Sequence, residues 1–177
     1  MGFMVSHRGI EVNSEKVCGI MELTPLKMVK EVQSLNGKIA VLNMFVSKAT
    51  DKCLPFFYTL KKSFEWMDEC QQAFENLKVY HSSPPLLSPS KPREELYLYL
   101  AVLQAAVSAT LVKEEDGSQK PVYFTSRVFR GPKEKYPQME KLSFALVTAT
   151  QKLKLYFQAY TIIVLTDRPL RKAMTSP

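Results

Sequence analysis

The chain has 177 residues, of which 46% are hydrophobic and 23% are charged, and its formal net charge is +7. This length and composition exclude a largely disordered chain and suit one medium domain or two small ones. This net positive charge is compatible with a polyanionic partner. No window reaches the run of about eighteen apolar residues that a membrane span needs, so we expect no contact with a membrane.

Three cysteines, Cys18, Cys53 and Cys70, are irregularly spaced and form no CxxC motif. Both histidines, His7 and His81, stand apart from them in the sequence. This pattern favours reduced thiols in an intracellular protein of the cytoplasm or nucleus, and it argues against a zinc site.

The N-terminal part begins with a predicted hairpin over residues 2–12 and continues with helices. Asn13 is a good N-cap, and it predicts a helix that ends near Glu22. A second helix is predicted from Val29 to Val46 because apolar residues recur there at intervals of three and four. Its apolar stripe consists of Val32, Leu35, Ile39, Leu42 and Phe45 or Val46.

Two further helical segments are predicted before residue 83. One covers Asp51–Lys62, with Pro55 in its first turn or at a kink. Trp66 is expected to fill part of the core rather than to stack on a base. Asp68 is predicted to cap the last helix of this part. The residues that this helix would bury are Cys70, Phe74 and Leu77.

Four lysines of this part form a basic cluster, which is either a solvated face or a track for phosphates. They are Lys48, Lys52, Lys61 and Lys62. The solvated face is the simpler interpretation. Together with Arg127 of the C-terminal part, these lysines are the candidates for nucleic-acid contact.

A proline-rich segment, residues 83–93, separates the two parts of the chain. Such a segment resists regular structure and acts as a semi-rigid connector. We therefore expect one domain over residues 1–82 and a second over residues 94–177.

The second domain opens with a predicted meander of three strands. The first strand, Leu96–Val102, is apolar at nearly every position, which predicts a central strand covered on both faces. Asp116-Gly117 predicts a tight turn between the second and third strands. Pro137 is placed in the first turn of a helix of about five turns. The residues Tyr160–Thr166 then predict a buried fourth strand.

Strand direction brings three positions of this domain to one edge of the sheet. If the first and fourth strands are parallel, the positions near Ala101, Leu142 and Asp167 lie at the same edge, where ligands bind in open α/β sheets. A hydrolase using two metal ions would need several carboxylates there. Only one of the three positions is acidic.

Several segments, in this order, link the chain to a known family: GFMVSHRGIEVN, VKEVQSLNGKIAVLNMFVSKATDK, FEWMDECQQAFENLK, PPLLSPS, KPVYFTSRVF, EKYPQMEKLSFALV and VLTDRPL. With them the chain resembles the Pol polyprotein of gypsy-type LTR retrotransposons, particularly plant elements. The resemblance implies the last palm strands and the thumb and connection region of a reverse transcriptase over residues 1–82. It implies a C-terminally truncated ribonuclease H-like domain over residues 94–177. The chain is then expected to be a fragment at both ends, with the polymerase YxDD motif upstream.

The ribonuclease H site of this family binds two magnesium ions through an Asp, a Glu, an Asp and a later Asp. The resemblance places the first Asp on Ala101, the Glu on Leu142 and the second Asp on Asp167, while the last lies beyond Pro177. Asp167 is thus the one candidate catalytic and metal-binding residue. We expect no cofactor for this chain, in contrast to the magnesium of its parent family.

Neighbouring acids are not expected to replace the missing ones. Glu140 is two residues from Leu142, and at about 100° per residue it points to another side of the helix. The acids Glu114–Asp116 belong to the hairpin at the opposite end of the sheet, where an acidic turn is normally solvated. Asp167 itself is well placed as the N-cap of a helix that begins at Arg168.

Three hypotheses follow for the function. The first is a piece of the Pol polyprotein that contacts an RNA–DNA hybrid or a template–primer duplex, next to the rest of Pol, without cleaving it. The second is an active magnesium-dependent ribonuclease H with unusual ligands. The third is a non-enzymatic α/β interaction module or a relic, whose truncated sheet leaves an unpaired edge and marginal stability.

Overall fold

A hairpin and helices precede a four-stranded mixed sheet in the chain. The computed structural model describes residues 3–24, 26–47, 52–56, 66–166, 168 and 170. The order of elements confirms the predicted fold class, which is a hairpin and helical region followed by a meander, a helix and a parallel fourth strand.

The N-terminal hairpin consists of β1 (Phe3–Ser6) and β2 (Gly9–Val12), which pair antiparallel as predicted. Helix α1 (Ser14–Met21) follows. The Oδ1 atom of Asn13 accepts a hydrogen bond from the backbone N–H of Glu15 at 2.9 Å, which confirms Asn13 as the N-cap. The hairpin and this helix therefore follow local turn and capping rules.

Helix α2 (Val29–Leu42) buries four residues of its predicted stripe, but it is shorter than predicted. The chain tightens into a 3₁₀ turn over Asn43–Phe45, and Val46 adopts an extended conformation. The predicted end at Val46 was therefore wrong. Both Phe45 and Val46 are nevertheless buried, because the tighter turn still directs them into the core.

Helix α3 (Asp68–Ser82) buries the three residues predicted for it. Its N-cap is Met67, so the prediction that Asp68 is the cap was wrong. Asp68 is instead the first helical residue, where its negative charge interacts favourably with the positive end of the helix dipole. Trp66 stacks on Phe56 and meets Phe74 edge-on, each at a centroid distance of 6.0 Å, which agrees with a role in the core. Of the predicted third helical piece, the structure describes only residues 52–56.

The segment between the two parts lacks regular structure, as predicted, but it is bonded to both of them. Leu87 exchanges backbone hydrogen bonds of 2.8 and 3.0 Å with Ile10 of β2. The N–H of Ser88 donates to the carbonyl of Pro121 at 2.7 Å. The connector therefore holds the N-terminal hairpin beside the third strand of the sheet.

The sheet has the order β5-β4-β3-β6, with β3 at Glu95–Val102, β4 at Ala106–Glu115, β5 at Ser118–Val128 and β6 at Thr161–Leu165. Strands β3, β4 and β5 form the predicted antiparallel meander, and β6 pairs parallel to β3. The turn between β4 and β5 has positive φ angles at Asp116 (55°) and Gly117 (71°), which confirms the hairpin signal.

Two predictions about strand burial were wrong. Strand β3 is central in the order, but Tyr99 is 38% exposed, because helix packing covers only one face of this strand. It is β4 that is largely buried on both faces. Strand β6 lies at the edge of the described sheet and is only partly buried.

A 3₁₀ turn at Gly131–Lys135 leads from β5 to the predicted helix, which is two helices, α4 (Gln138–Lys152) and α5 (Lys154–Ala159). The break falls at Leu153, whose ψ of 23° departs from the helical value. Pro137 lies just before α4 rather than in its first turn. Ala149 and Leu153 pack on Leu96 and Leu98 of β3, so α4 covers one face of the sheet.

The described residues form separate hydrophobic clusters. One joins the hairpin, the N-terminal helices and Leu87, and two others join the sheet to α4. Phe124 of β5 packs against the first cluster. No helix in the described part of the chain is both long and apolar enough to cross a membrane.

The three cysteines are free thiols. Cys18 is exposed, whereas Cys53 and Cys70 are buried. Burial raises the pKa of the Cys53 thiol to about 12, and the nearby charge of Lys52 offsets only part of this effect. Cys53 is therefore an unreactive core thiol at neutral pH.

Replacing Gly9 by alanine tests the attachment of the connector to the hairpin. Gly9 has a φ of 143°, and a Cβ atom there would lie 2.3 Å from the carbonyl oxygen of Leu87. We expect Gly9→Ala to lower the free energy of unfolding by about 2 kcal/mol or more, measured by urea denaturation. Gly37→Ala is the matched control, because Gly37 lies inside α2 with open space around it, and it should gain about 0.5–1 kcal/mol. Equal effects of the two substitutions would contradict this account.

Candidate functional site

The carboxyl edge of the sheet contains a cavity of about 550 Å³. The pairing of β6 with β3 ends at Leu165 and Tyr99, so the last residues of β3 extend beyond the edge strand. The first turn of α4 lies beside them. The lining residues are Tyr99, Leu100, Ala101, Val102, Gln138, Leu142, Leu165, Thr166 and Arg168. The structure thus brings Ala101 and Leu142 to one cavity at the end of β6, while Asp167 lies outside the described residues.

The chemistry of this cavity does not fit a pair of divalent cations. Two such ions need several carboxylate oxygens. The described lining residues are apolar or uncharged apart from Arg168, whose positive charge would repel a metal ion. Leu142 is only 3% exposed. In the described ranges, no three His, Cys, Asp or Glu side chains come together as a possible metal site.

The neighbouring acids lie where the sequence predicted, with one difference. Glu140 is exposed on α4, whereas Leu142 is buried. Glu114 is exposed in the distant hairpin. The expectation that Glu115 is merely solvated was wrong, because three lysines contact its carboxylate at 2.8 to 3.4 Å. Hydrogen bonds from Lys120 and Lys91 lower the pKa of Glu115 to about 2, so it is ionised at physiological pH.

Three cations surround a pair of aromatic rings where β5 leads into α4. The guanidinium carbon of Arg127 lies 5.5 Å from the ring centroid of Phe144, and Lys133 Nζ lies 4.3 Å from it. Lys141 Nζ lies 4.9 Å from the ring centroid of Phe129. We call these five residues the Phe129–Phe144 patch. Such contacts are worth about 0.5–1 kcal/mol each at exposed sites, so the rings hold the cations in place on the surface.

The other basic candidates are only partly described. Lys48, Lys61 and Lys62 lie outside the described residues. Lys52 Nζ lies 3.4 Å from the ring centroid of Tyr80, so this lysine packs on the helical part of the chain. Lys52 thus contacts a ring of α3, whereas Arg127 contacts a ring of α4.

Sequence reasoning missed Lys133 and Lys141 as companions of Arg127. The available signal was the alternation of basic and aromatic residues in RVFRGPKEK and EKLSF. This signal is weak without the fold, because the two segments meet only when α4 packs against β5.

The patch and the cavity are neighbours through α4. Lys141 belongs to the patch, and the next residue, Leu142, lines the cavity. The Phe129–Phe144 patch thus shares α4 with a cavity whose described lining offers no carboxylate.

Comparisons with known proteins agree with this arrangement. The sheet, the helix and the edge cavity define an RNase H-like domain. Residues 66–164 match the RNase H-like domain found in reverse transcriptase, and the chain belongs to this family.

Relatives with curated descriptions are transposon polyproteins. The chain is 26% identical over 189 residues to the retrovirus-related Pol polyprotein from transposon opus of Drosophila melanogaster, covering 98% of the chain and 19% of that protein. It is 24% identical to the transposon Tf2-3 polyprotein of Schizosaccharomyces pombe, covering 90% of the chain and 12% of that protein. The chain therefore spans less than a fifth of the length of these relatives.

Solved structures show the same fold. The foamy viral protease–reverse transcriptase in complex with dsDNA aligns with a TM-score of 0.78 and 20% identity, over all of this chain and 38% of that one. The same enzyme in complex with RNA/DNA hybrid aligns with a TM-score of 0.80 and 21% identity, over all of this chain and 25% of that one.

Replacing Leu142 by glutamate tests whether this position is a packing site. The new carboxylate would enter a position that is only 3% exposed, and Arg168 is the one charged residue in the described lining of the same cavity. We expect Leu142→Glu to lower the free energy of unfolding at pH 8 by about 3 kcal/mol or more, measured by urea denaturation. Val147→Glu on the same helix is the control, because Val147 is 46% exposed and its change should stay within about 0.5 kcal/mol. Full stability of Leu142→Glu would contradict the packing role.

Proposed function

We propose that the chain is a nucleic-acid-binding segment of a gypsy-type, plant-like retrotransposon Pol polyprotein. In this proposal it contacts an RNA–DNA hybrid or a template–primer duplex and does not cleave it. The observation that carries the proposal is the edge cavity, where Ala101 and Leu142 lie at the positions that the resemblance gives to two metal-binding acids.

Binding is supported by the charge and by the form of the basic surface. The chain has a formal net charge of +7, and the Phe129–Phe144 patch holds three of its cations close together. Cations that contact phosphates release counterions, which gives affinity without sequence preference. The foamy viral relatives of similar fold, which are bound to dsDNA and to RNA/DNA hybrid, support the same kind of partner.

The absence of cleavage is supported by the lining of the cavity. Arg168 is its only described charged residue, and burial of Leu142 stabilises the packing of α4 on the sheet. Asp167 remains the one acid that the resemblance retains. Two magnesium ions need several carboxylates, and two of the three family positions within these residues are Ala101 and Leu142, so the magnesium of the parent family has no role in this proposal.

The proposed domain division follows the hydrophobic clusters. Residues 1–82 would be the end of the palm with the thumb and connection region, residues 83–93 the linker, and residues 94–177 the RNase H-like domain. The fully buried residues of the first cluster end at Leu87 and those of the sheet clusters begin at Leu96, which supports a boundary between them; Phe124 of β5 packs across it. The hydrogen bonds of Leu87 and Ser88 imply that the two domains are held together rather than loosely linked.

Hybrid binding should depend steeply on salt and on the Phe129–Phe144 patch. We expect the logarithm of the affinity to fall linearly with the logarithm of the salt concentration, measured by fluorescence anisotropy with a labelled RNA–DNA hybrid. The double variant Arg127→Gln/Lys133→Gln should weaken binding and reduce the slope by about 2, because each phosphate contact contributes about 0.9.

The matched control for this experiment is Lys30→Gln/Lys154→Gln, which removes the same charge from exposed positions outside the patch. It should change the slope much less. Absent or salt-independent binding would contradict the proposal and favour the interaction module. Equal effects of the two double variants would show that net charge, and not the patch, accounts for binding.

Incubation with magnesium should leave the RNA strand of a hybrid intact. The physical reason is the lack of described carboxylates in the edge cavity. The measurement is a denaturing gel of an end-labelled RNA strand, with an active ribonuclease H in the same buffer as a positive control. Magnesium-dependent cleavage that Asp167→Asn abolishes would overturn the proposal and establish an active nuclease.

A further inference from the structure

A second cavity, of about 520 Å³, lies at the opposite end of the sheet from the edge cavity. Three separate segments form it, namely the turn of the β1–β2 hairpin, the connector, and the ends of β4 and β5. Backbone hydrogen bonds from β2 and β5 to the connector hold these segments together. The cavity is therefore built by the fold and does not depend on a single loop.

Four of the ten residues that line this cavity are cationic. Arg8, Lys91, Lys113 and Lys120 line it, and Glu115 is the only acid among its lining residues. Lys91 Nζ lies 2.9 Å from one oxygen of Glu115, while Lys120 and Lys113 lie 2.8 and 3.4 Å from the other. One carboxylate thus contacts three ammonium groups. The charges of Glu94 and Asp116 also act on Lys91, but neither residue lines the cavity, so its lining has four cations and one acid.

Lys113 is the most deeply buried of the three lysines that contact Glu115. Its side chain is only 3% exposed, and its Nζ donates to the carbonyl of Pro89 at 3.1 Å. A buried ammonium group is costly unless it is paired and hydrogen-bonded. An ammonium group has three N–H donors, and the partners described for Lys113 are two, Pro89 and Glu115. The fold therefore holds a buried cation in position with capacity for one further acceptor.

Arg8 adds a charge of a different kind. It is exposed in the turn of the hairpin and has no carboxylate partner among the described residues. A guanidinium group has a fork of donors that matches the oxygens of a phosphate, while lysines act as point charges. One arginine and three lysines around a cavity form a suitable arrangement for an oxyanion with several acceptor oxygens and more than one charge.

We propose that this cavity is a phosphate-binding site formed by Arg8, Lys91, Lys113 and Lys120. In this site Glu115 orients the three lysines, and the phosphate group supplies the negative charge that Glu115 alone does not provide. A phosphate here would bridge the β1–β2 hairpin and the sheet. The inference is independent of the proposed hybrid binding, because its residues are not those of the Phe129–Phe144 patch.

The first test uses inorganic phosphate and the whole 177-residue chain, at an ionic strength kept constant with sodium chloride. We expect phosphate to raise the melting temperature in a concentration-dependent way and to give a saturable change in its ³¹P resonance. Arg8→Gln/Lys120→Gln should weaken phosphate binding at least tenfold, while Lys16→Gln/Lys154→Gln should leave it unchanged. If the first double variant fails to fold, Arg8→Gln alone replaces it, because Arg8 is exposed. No response of the original chain, or an equal loss in both double variants, would overturn the proposal.

A competition experiment identifies the source of the phosphate group. If an oligonucleotide displaces phosphate and binds Arg8→Gln more weakly, the site takes the backbone of a polynucleotide. If it binds without displacing phosphate, the site takes a free phosphate compound. Arg127→Gln/Lys133→Gln should weaken oligonucleotide binding at the patch and leave phosphate binding unchanged, so failure of one proposal is distinguishable from failure of the other.

Discussion

The parallel pairing of β3 with β6 is the interaction on which the rest of the C-terminal half depends. It joins Glu95–Tyr99 to Thr161–Leu165, and α4 must cross the sheet to make it possible. The end of β3, the start of α4 and the end of β6 consequently meet at one edge. The side chains at those three positions therefore determine which ligands the edge can bind.

In this chain the described side chains at that edge favour packing over metal chemistry. Leu142 is buried against the sheet, and Ala101 adds no donor atom to the cavity. Two groups of described cations lie outside this cavity, one on the rings of Phe129 and Phe144 and the other around Glu115. The same framework thus carries basic surfaces together with an edge whose described lining has no carboxylate.

Local signals in the sequence were enough to predict much of the fold. Asn13 predicted a cap, Asp116-Gly117 predicted a turn, and the apolar stripe of α2 predicted its buried face, because each depends on residues within one or two turns of the chain. Strand burial was less predictable. An apolar strand has the same pattern at the edge as in the centre, so β6 was expected to be buried, and only the strand order decides the matter.

The candidate sites were likewise predictable in part: the positions that depend on strand direction could be predicted, and the contacts between distant segments could not. Strand direction predicted that Ala101 and Leu142 share one edge, because topology alone determines this. The environment of Glu115 could not be predicted, since Lys91 approaches it from the connector and Lys113 and Lys120 approach it through the register of β4 and β5. The Phe129–Phe144 patch likewise depends on contacts between segments that are distant in the sequence.

The central proposal is that the edge of the sheet has the RNase H-like framework but does not bind a pair of metal ions. Titration with Mn²⁺, followed by NMR, tests it most directly, because a bound paramagnetic ion broadens the amide resonances around it. The account predicts that the amides of Ala101, Leu142 and Thr166 broaden no more than that of Lys154, an exposed residue of α5. Selective broadening of those three amides at micromolar Mn²⁺ would contradict it.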